Sequence, residues 1–248
     1  MLDDKRVNKL LIRNAQVVGQ DEYHLSWLSP KLAIHNDMLS AWKDLVSHAK
    51  QSGFELSIAS GYRSFDRQLS IWNKKFNGEL AVRDKHNNII ELDHLNETDK
   101  VMAILTYSAL PGASRHHWGT DIDVYATNLL PNGKSLQLEP WEYQEQGYFF
   151  PLSQWLDQHA NEFGFFFPYS QDRGGIAIEP WHMSFQPLAQ QYENKLTLPL
   201  LANLIGTSKI SGKKAILANL TSIFTQYITN ICHTHLLDNN AINKEDHG

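Results

Sequence analysis

The sequence predicts an α+β fold: a small antiparallel β-sheet flanked by helices, with a C-terminal helical extension. Three observations carry that prediction. A few segments show helical periodicity, several short strand-like runs stand well apart, and beyond about residue 196 the character changes to a helical run. No internal repeat and no low-complexity segment interrupts the pattern. The expected organisation is one domain over 1–195 and a helical extension over 196–248.

Residues 36–52, NDMLSAWKDLVSHAKQS, predict the first helix. Asn36 or Asp37 can cap it, and Leu39, Trp42, Leu45, Val46 and Ala49 share one face. Gly53 stops it. ELSIAS (55–60) reads as a short strand, with SGYRS turning out of it. Residues 65–76, FDRQLSIWNKKF, predict a second helix, and 83–94 are polar around an Asn-Asn pair and read as a loop or small hairpin. A third helix is expected over 97–108, ended by Pro111-Gly112. TDIDVY (120–125) alternates as a strand does, 152–163 predict a helix stopped at Gly164, and GIAIEPWHMSF (175–185) is strand-like with an interruption at Pro180. AILANLTSIFTQYITNI (215–231) sets Ile216, Leu220, Ile223, Tyr227 and Ile231 at helical spacing. That helix is expected to pack on the domain, with a partner helix or a membrane-surface helix as alternatives. The last dozen residues, polar and rich in His and Asn, read as frayed.

At 248 residues the chain can bury a sizeable core. Its 22 Lys and Arg against 27 Asp and Glu leave a formal charge of −5, with no basic footprint for nucleic acid. Cys232 is the single cysteine, which rules out an intramolecular disulfide and a cysteine-rich zinc module. No apolar run is long enough to span a bilayer. The opening MLDDKRVNKLLIRNAQ carries early acids and lacks the apolar core of a signal peptide, so the expected location is the cytoplasm. A signal removed beforehand would instead place the protein in the periplasm or at the cell wall.

The chemistry concentrates in SRHHWGTDID (114–123) and EPWH (179–182). A period of two puts Asp121 and Asp123 on one face of the strand. His116 lies in the loop that leads into it, and His182 lies in a second strand candidate 59 residues after Asp123. Such a platform can present His116, one of the two aspartates and His182 to one metal ion. A hydrolytic zinc takes three such ligands and keeps a fourth position for water.

SRHHWGTDID resembles the S-x-H-x-x-G-x-x-x-D signature of the VanY-type zinc D-alanyl-D-alanine carboxypeptidases, and EPWH resembles the same family's E-x-W-H signature. SGYRSFDRQ (60–68) is similar to its S-G-Y-R-S…Q segment. The three motifs occur in the family's order and cover roughly residues 30–190. The family's fold is shared with lysostaphin-type endopeptidases and with the signalling domain of Hedgehog proteins. The resemblance implies one Zn²⁺ ion held by His116, Asp123 and His182. It also implies Glu179 as the general base and Arg63 as the group that stabilises the oxyanion. Gln68 and Ser114 are expected to hold the substrate backbone or its terminal carboxylate, with Trp181 and Trp118 as pocket walls or core. The implied substrates are peptidoglycan stem peptides or muropeptides that lose a terminal D-alanine, in a D,D- or an L,D-reaction. Alternatives are an endopeptidase of the same fold and a non-catalytic zinc-binding, Hedgehog-like interaction domain. A third class uses the metal merely to staple the fold, with His117 or Asp121 as a fourth protein ligand.

Two features depart from the expected pattern. Many relatives carry alanine where this chain has Asp121, which is expected to orient a ligand histidine from behind. Glu179 and His182 are three residues apart, so a regular strand would send them to opposite faces, and a break at Pro180 is required. A free substrate carboxylate needs a clamp besides Arg63, and Arg115, Arg67 and Gln68 are the candidates. His117 is expected to point away from the metal, to the surface or behind a ligand. The helical insert between 126 and 174 is expected to close the cleft.

Overall fold

The structure, a computed structural model of the chain, describes residues 12–233. The closing dozen residues, with their expected fraying, lie outside that range. A short helix α1 (Asn14–Val17) leads to strands β1 (Leu25–Ser29) and β2 (Leu32–His35), which pair antiparallel as a two-stranded sheet. The sequence reading did not anticipate this hairpin. Its apolar residues Trp27 and Leu28 are exposed, so no alternation of buried and solvated positions marks β1.

A 3₁₀ turn over Asn36–Met38 opens into α2 (Leu39–Gln51). Trp42, Leu45 and Ala49 are buried as the periodicity predicts. The cap is His35, whose Nδ1 accepts the Asp37 amide at 3.1 Å, and not Asn36 or Asp37. The chain already turns at Asn36, so the capping position moves one residue upstream.

The central sheet is formed by β3 (Leu56–Ser60), β4 (Asp121–Ala126), β5 (Phe165–Phe166) and β6 (His182–Phe185), in the order β3-β4-β6-β5 with every pairing antiparallel. The strand expected over 175–185 is therefore four residues long. Helix α3 (Phe65–Phe76) has the expected bounds, because the Ser64 side chain accepts from the Arg67 amide and fixes its start. Residues 83–94 are a loop closed by one bridge, Arg83 to Ile89. Helix α4 (Glu97–Leu105) stops three residues before the expected end. Helices α5 (Pro140–Tyr143) and α6 (Phe150–His159) follow, and a 3₁₀ turn (Ala160–Phe163) carries α6 on to Gly164. Helix α7 (Gln186–Glu193) runs directly out of β6.

The remaining chain forms α8 (Leu198–Thr207), α9 (Lys213–Ala218), α10 (Leu220–Ile223) and a π-helical turn (Phe224–Ile228). The single helix expected over 215–231 is thus broken at Asn219, whose backbone leaves the helical region (φ −112°, ψ 11°). Its apolar positions still face inward. Ile216, Leu220 and Ile223 join Leu201 and Ile205 in a core with Trp72, Val101, Ile104 and Leu105. Among the described residues, no helix is long and apolar enough to cross a membrane.

A second core lies between α2, the sheet and α6, and holds Trp42, Leu45, Ile122, Val124, Leu152, Leu156 and Met183. Fully burying each such side chain contributes about 1.5–3 kcal/mol. The strand period follows: Ile122 and Val124 point into this core, so Asp121 and Asp123 must point to the other face.

Candidate metal centre and active site

Asp123 pairs with His182 across the β4–β6 ladder, and Asp121 pairs with Ser184. The two aspartates and His182 therefore stand side by side on one sheet face. His116 enters from a 3₁₀ turn (Arg115–Trp118) that closes on Gly119 at φ +69°. A Cβ at Gly119 would lie 2.6 Å from Leu25 Cδ2 and 3.0 Å from the His35 amide nitrogen, so glycine is required for both reasons. The turn is tied to the segment after β3 in both directions: the Arg63 amide donates to the His116 carbonyl at 3.0 Å, and His116 Nδ1 lies 2.9 Å from the Gly61 carbonyl.

The break expected at Pro180 is present. Residues 180–181 form a turn, and the His182 amide donates to the Glu179 carbonyl at 3.1 Å. Glu179 consequently reaches the same face as His182, with Oε2 3.5 Å from His182 Nδ1.

Ligand-type atoms of His116, Asp123 and His182 all lie within 4.8 Å of one another. His116 Nε2 is 3.5 Å from Asp123 Oδ2, and His182 Nδ1 is 3.3 Å from Asp123 Oδ1. Although close, His182 Nδ1 and Asp123 Oδ1 make no hydrogen bond with any group, and both are buried. The outward nitrogen of each histidine is held instead. His116 donates from Nδ1 to the Gly61 carbonyl, and His182 donates from Nε2 to Asp121 Oδ1 at 3.0 Å. Those bonds fix the tautomers that turn both remaining lone pairs inward. Two imidazole lone pairs and a carboxylate with an unpartnered oxygen form a donor set suited to zinc.

Asp121 stands behind His182, as expected for a residue that orients a ligand. Besides His182 it accepts from Arg115 Nε at 2.6 Å, Thr120 Oγ1 at 2.7 Å and Ser184 Oγ at 3.1 Å. Burial alone would raise the Asp121 carboxyl, but the Arg115 charge and the hydrogen bonds hold it far below the usual carboxylate range. Asp123 is held low in the same way, by His116 and His182 against its own burial. Burial pulls His116 down. For His182 burial acts downward too, yet its hydrogen bond to Asp121 and the nearby Asp123 carboxylate raise it to about 9. Burial pushes Glu179 up to about 7.

A cavity of about 320 Å³ opens in front of these groups, with Arg63, Ser114 and Trp181 among its walls. Arg63 donates to Gln68 Oε1 at 2.9 Å and to Ser60 Oγ at 3.2 Å, while its buried Nε has no partner. Ser114 Oγ is likewise buried and unpartnered. Gln68, expected to touch substrate, lies behind Arg63. It is fully buried, and its Nε2 donates to the Ala109 carbonyl at 2.7 Å, so both ends of the amide are engaged.

Of the other expected clamps, Arg115 lines the cavity but is engaged elsewhere, and Arg67 lies outside it. Arg115 is buried and spends its guanidinium on Asp121, Glu193 and Ser184, with its plane over the Trp118 ring at 4.8 Å. Arg67 is exposed and forms no part of the cavity wall. His117 points away from the metal-ligand cluster but is completely buried rather than at the surface. Its Nδ1 donates to the Arg63 carbonyl at 2.6 Å, and its Nε2 accepts the Gly112 amide at 3.0 Å.

Several wall residues were not foreseen. Lys75 lines the cavity and donates to Ser108 Oγ at 2.6 Å. Its signal was present in the sequence: Gln68, Trp72 and Lys75 recur at the four-and-three spacing of one face of α3. Tyr169 packs its ring 4.9 Å from that of His182, and nothing in its local sequence marks it. The cleft is lined by two loops, one of them in the 126–174 insert together with Pro140 at the start of α5. Arg83 and Asn87 come from one loop, Leu138 and Glu139 from the other, and Arg83 approaches Glu139 at 3.9 Å across the mouth. The insert's helix α6 instead buries Leu152 and Leu156 in the second core.

The sequence profile of the VanY family, D-alanyl-D-alanine carboxypeptidase, matches residues 31–188. An uncharacterized protein of Haemophilus influenzae is 40% identical over 125 residues, which is 50% of this chain and 95% of that protein. A D-alanyl-D-alanine carboxypeptidase of Enterococcus faecalis is 25% identical over 187 residues, 73% of this chain and 60% of the relative. The chain thus spans nearly the whole of the first relative and less than two thirds of the second. Among solved structures, VanYB in complex with D-Alanine-D-Alanine superposes with a TM-score of 0.50 at 23% identity, over 77% of this chain and 92% of that one, a likeness of fold.

Proposed function

The chain belongs to the VanY family of D-alanyl-D-alanine carboxypeptidases, and on that premise we propose that it is a zinc-dependent carboxypeptidase that removes the terminal D-alanine of peptidoglycan stem peptides. One observation supports this above all: ligand atoms of His116, Asp123 and His182 lie within 4.8 Å of one another, those of Asp123 and His182 buried and unpartnered, at the wall of a cavity that also holds Glu179 and Arg63. These three residues would hold the ion, with Asp121 and the Gly61 carbonyl orienting the histidines. A zinc ion bound there supplies Lewis acidity and lowers the pKa of water in its open position to about 7.

Glu179 would take a proton from the attacking water and deliver it to the amine as the C–N bond breaks, a role supported by its closeness to His182. The water oxygen becomes part of the new carboxylate. Arg63 meets the negative charge that develops on the scissile carbonyl oxygen, and Gln68 and Ser60 hold its guanidinium in place from behind. Lys75, Arg83 and Ser114 Oγ line the cavity and are candidates to receive the substrate's terminal carboxylate. A cation in the cavity wall would pair with the carboxylate of a chain terminus, which supports an exopeptidase reading over an endopeptidase one.

The test is mass spectrometry of muropeptides with pentapeptide and tetrapeptide stems, incubated with the protein with and without a zinc chelator. Chelator-sensitive loss of one alanine is expected, from pentapeptide in a D,D-reaction and from tetrapeptide in an L,D-reaction. Internal cleavage would overturn the exopeptidase reading. No cleavage by zinc-loaded protein would overturn catalysis on these peptides.

A further inference from the structure

A second group of metal-ligating side chains lies outside the cleft. His48, His159 and Glu162 offer ligand atoms that all lie within 4.8 Å of one another, and none of the three lines the active-site cavity. We propose that they form a second metal site, one for a divalent transition ion with zinc in first place, which fastens the end of α2 to the end of α6.

Three features support the site. The first is convergence from separate elements: His48 comes from the last turn of α2, His159 is the last residue of α6, and Glu162 follows in the 3₁₀ turn. His159 and Glu162 are three residues apart, the spacing that puts two side chains on one face of a 3₁₀ or α-helical turn. His159 Nδ1 and Glu162 Oε1 are 3.0 Å apart. Ligand atoms around a tetrahedral zinc, at about 2.0–2.2 Å from the ion, are themselves about 3.3 Å apart. The pair therefore already has the required spacing, and His48 completes a set of two imidazoles and one carboxylate.

The second feature is that the rings are held. The His48 and His159 rings lie 5.2 Å apart at 67°, and both pack on the Trp155 indole, at 5.6 Å and 5.0 Å. The Phe163 ring also packs on His48, at 5.6 Å. Such packing limits the rotamers of both imidazoles, so less freedom is lost when an ion binds. The third feature is electrostatic. Both histidines sit at helix C-termini, where unpaired carbonyls give a partial negative charge that favours a cation. Among the described residues Glu162 has no lysine or arginine partner, and its ion pair is with His159. Imidazole and carboxylate together select zinc, nickel or copper over calcium and magnesium, which prefer all-oxygen ligands.

The full chain, stripped with a chelator and dialysed, is titrated with zinc chloride against a chromophoric chelator. Wild type is expected to bind one more ion per chain than either His48→Ala or His159→Ala. Glu162→Gln, which keeps the side-chain volume at an exposed position, is expected to weaken that ion about tenfold or more. All these chains keep His116, Asp123 and His182, so the difference is read whether or not that cluster binds zinc. The proposed active-site ion is tested separately by His182→Ala. A second readout is local: copper(II) quenches indole fluorescence, and the quenching lost in Trp155→Phe should equal that lost in His159→Ala. Equal zinc stoichiometry in wild type, His48→Ala and His159→Ala would overturn the proposal. So would copper quenching that is unchanged in His159→Ala.

Discussion

Among the described residues, two groups of two histidines and one carboxylate differ less in composition than in what stands behind them. His116, Asp123 and His182 are 6%, 4% and 3% exposed, while the side chains of His159 and Glu162 are 30% and 58% exposed. In the buried cluster each histidine has its outward nitrogen bonded, to a backbone carbonyl in one case and to Asp121 in the other. Asp121 is in turn held by Arg115, Thr120 and Ser184. In the surface cluster the rings are held by aromatic packing and by the contact between His159 Nδ1 and Glu162 Oε1, inside the cluster itself. A metal-ligating set is thus easily assembled from common residues, whereas a catalytic one requires a second layer that fixes tautomer and direction.

The largest expected effect separates chemistry from ligation. Glu179→Gln should lower kcat by about 10²–10⁴-fold, the range for loss of a general acid–base group, with zinc content and thermal midpoint close to wild type. Steady-state kinetics on a pentapeptide or tetrapeptide stem together with metal analysis check this. A Glu179→Gln chain that keeps full activity would remove the distinction between the buried cluster and an inert one.

Next comes the layer behind the ligands. Asp121→Asn leaves the Arg115 guanidinium buried with Glu193 as its remaining acid partner. Breaking a buried pair in this way costs about 3–5 kcal/mol, which urea denaturation would show. Losing the carboxylate behind His182 should also weaken zinc binding about 10–100-fold. An Asp121→Asn chain with unchanged stability and affinity would mean that the second layer is not what distinguishes the two clusters.

The smaller the role of local pattern, the less of this was legible in the sequence. Helix α3 was read to the residue because Ser64 caps it and its buried positions Phe65, Gln68 and Trp72 follow the helical period. The two aspartates sharing a face, and the break at Pro180, followed from the period of a strand and the missing donor of proline. The β1–β2 hairpin escaped because Trp27 and Leu28 face solvent, so burial leaves no periodic trace. The break at Asn219 escaped because the apolar spacing continues across it even though the backbone does not. Gln68 was expected to meet the substrate and instead meets Arg63, since a motif does not show which side of the arginine its glutamine takes. The carboxylate-binding role proposed for Lys75 would have needed the cavity wall itself.

Lys75 gives the third prediction, which extends the comparison from the ligands to the substrate. If it receives the terminal carboxylate, Lys75→Ala removes a charged hydrogen bond of about 1.5–3 kcal/mol, or about 10–150-fold in kcat/KM. The loss should fall mainly in KM, because the carboxylate is bound alike in the ground and transition states. A substrate whose C-terminus is amidated should be poor for wild type and should lose little further in Lys75→Ala. Equal losses for free and amidated termini would make Lys75 a structural support for Ser108 rather than a clamp.

The smallest effect belongs to the surface cluster and completes the contrast with Asp121. In protein stripped of metal, Glu162→Gln removes an ion pair with His159 in which both side chains reach solvent. Exposed pairs contribute about 0–1 kcal/mol, and those at helical i,i+3 or i,i+4 spacing about 0.3–0.5 kcal/mol, so urea denaturation should show a change of at most about 0.5 kcal/mol. The same carboxylate-to-amide change therefore costs about ten times more at Asp121 than at Glu162. That ratio follows from burial, since the surface carboxylate exchanges its partner for water while the buried one leaves Arg115 without its fully buried acid partner. A loss at Glu162 comparable to that at Asp121 would mean that the surface carboxylate, like the buried one, has partners that water cannot replace.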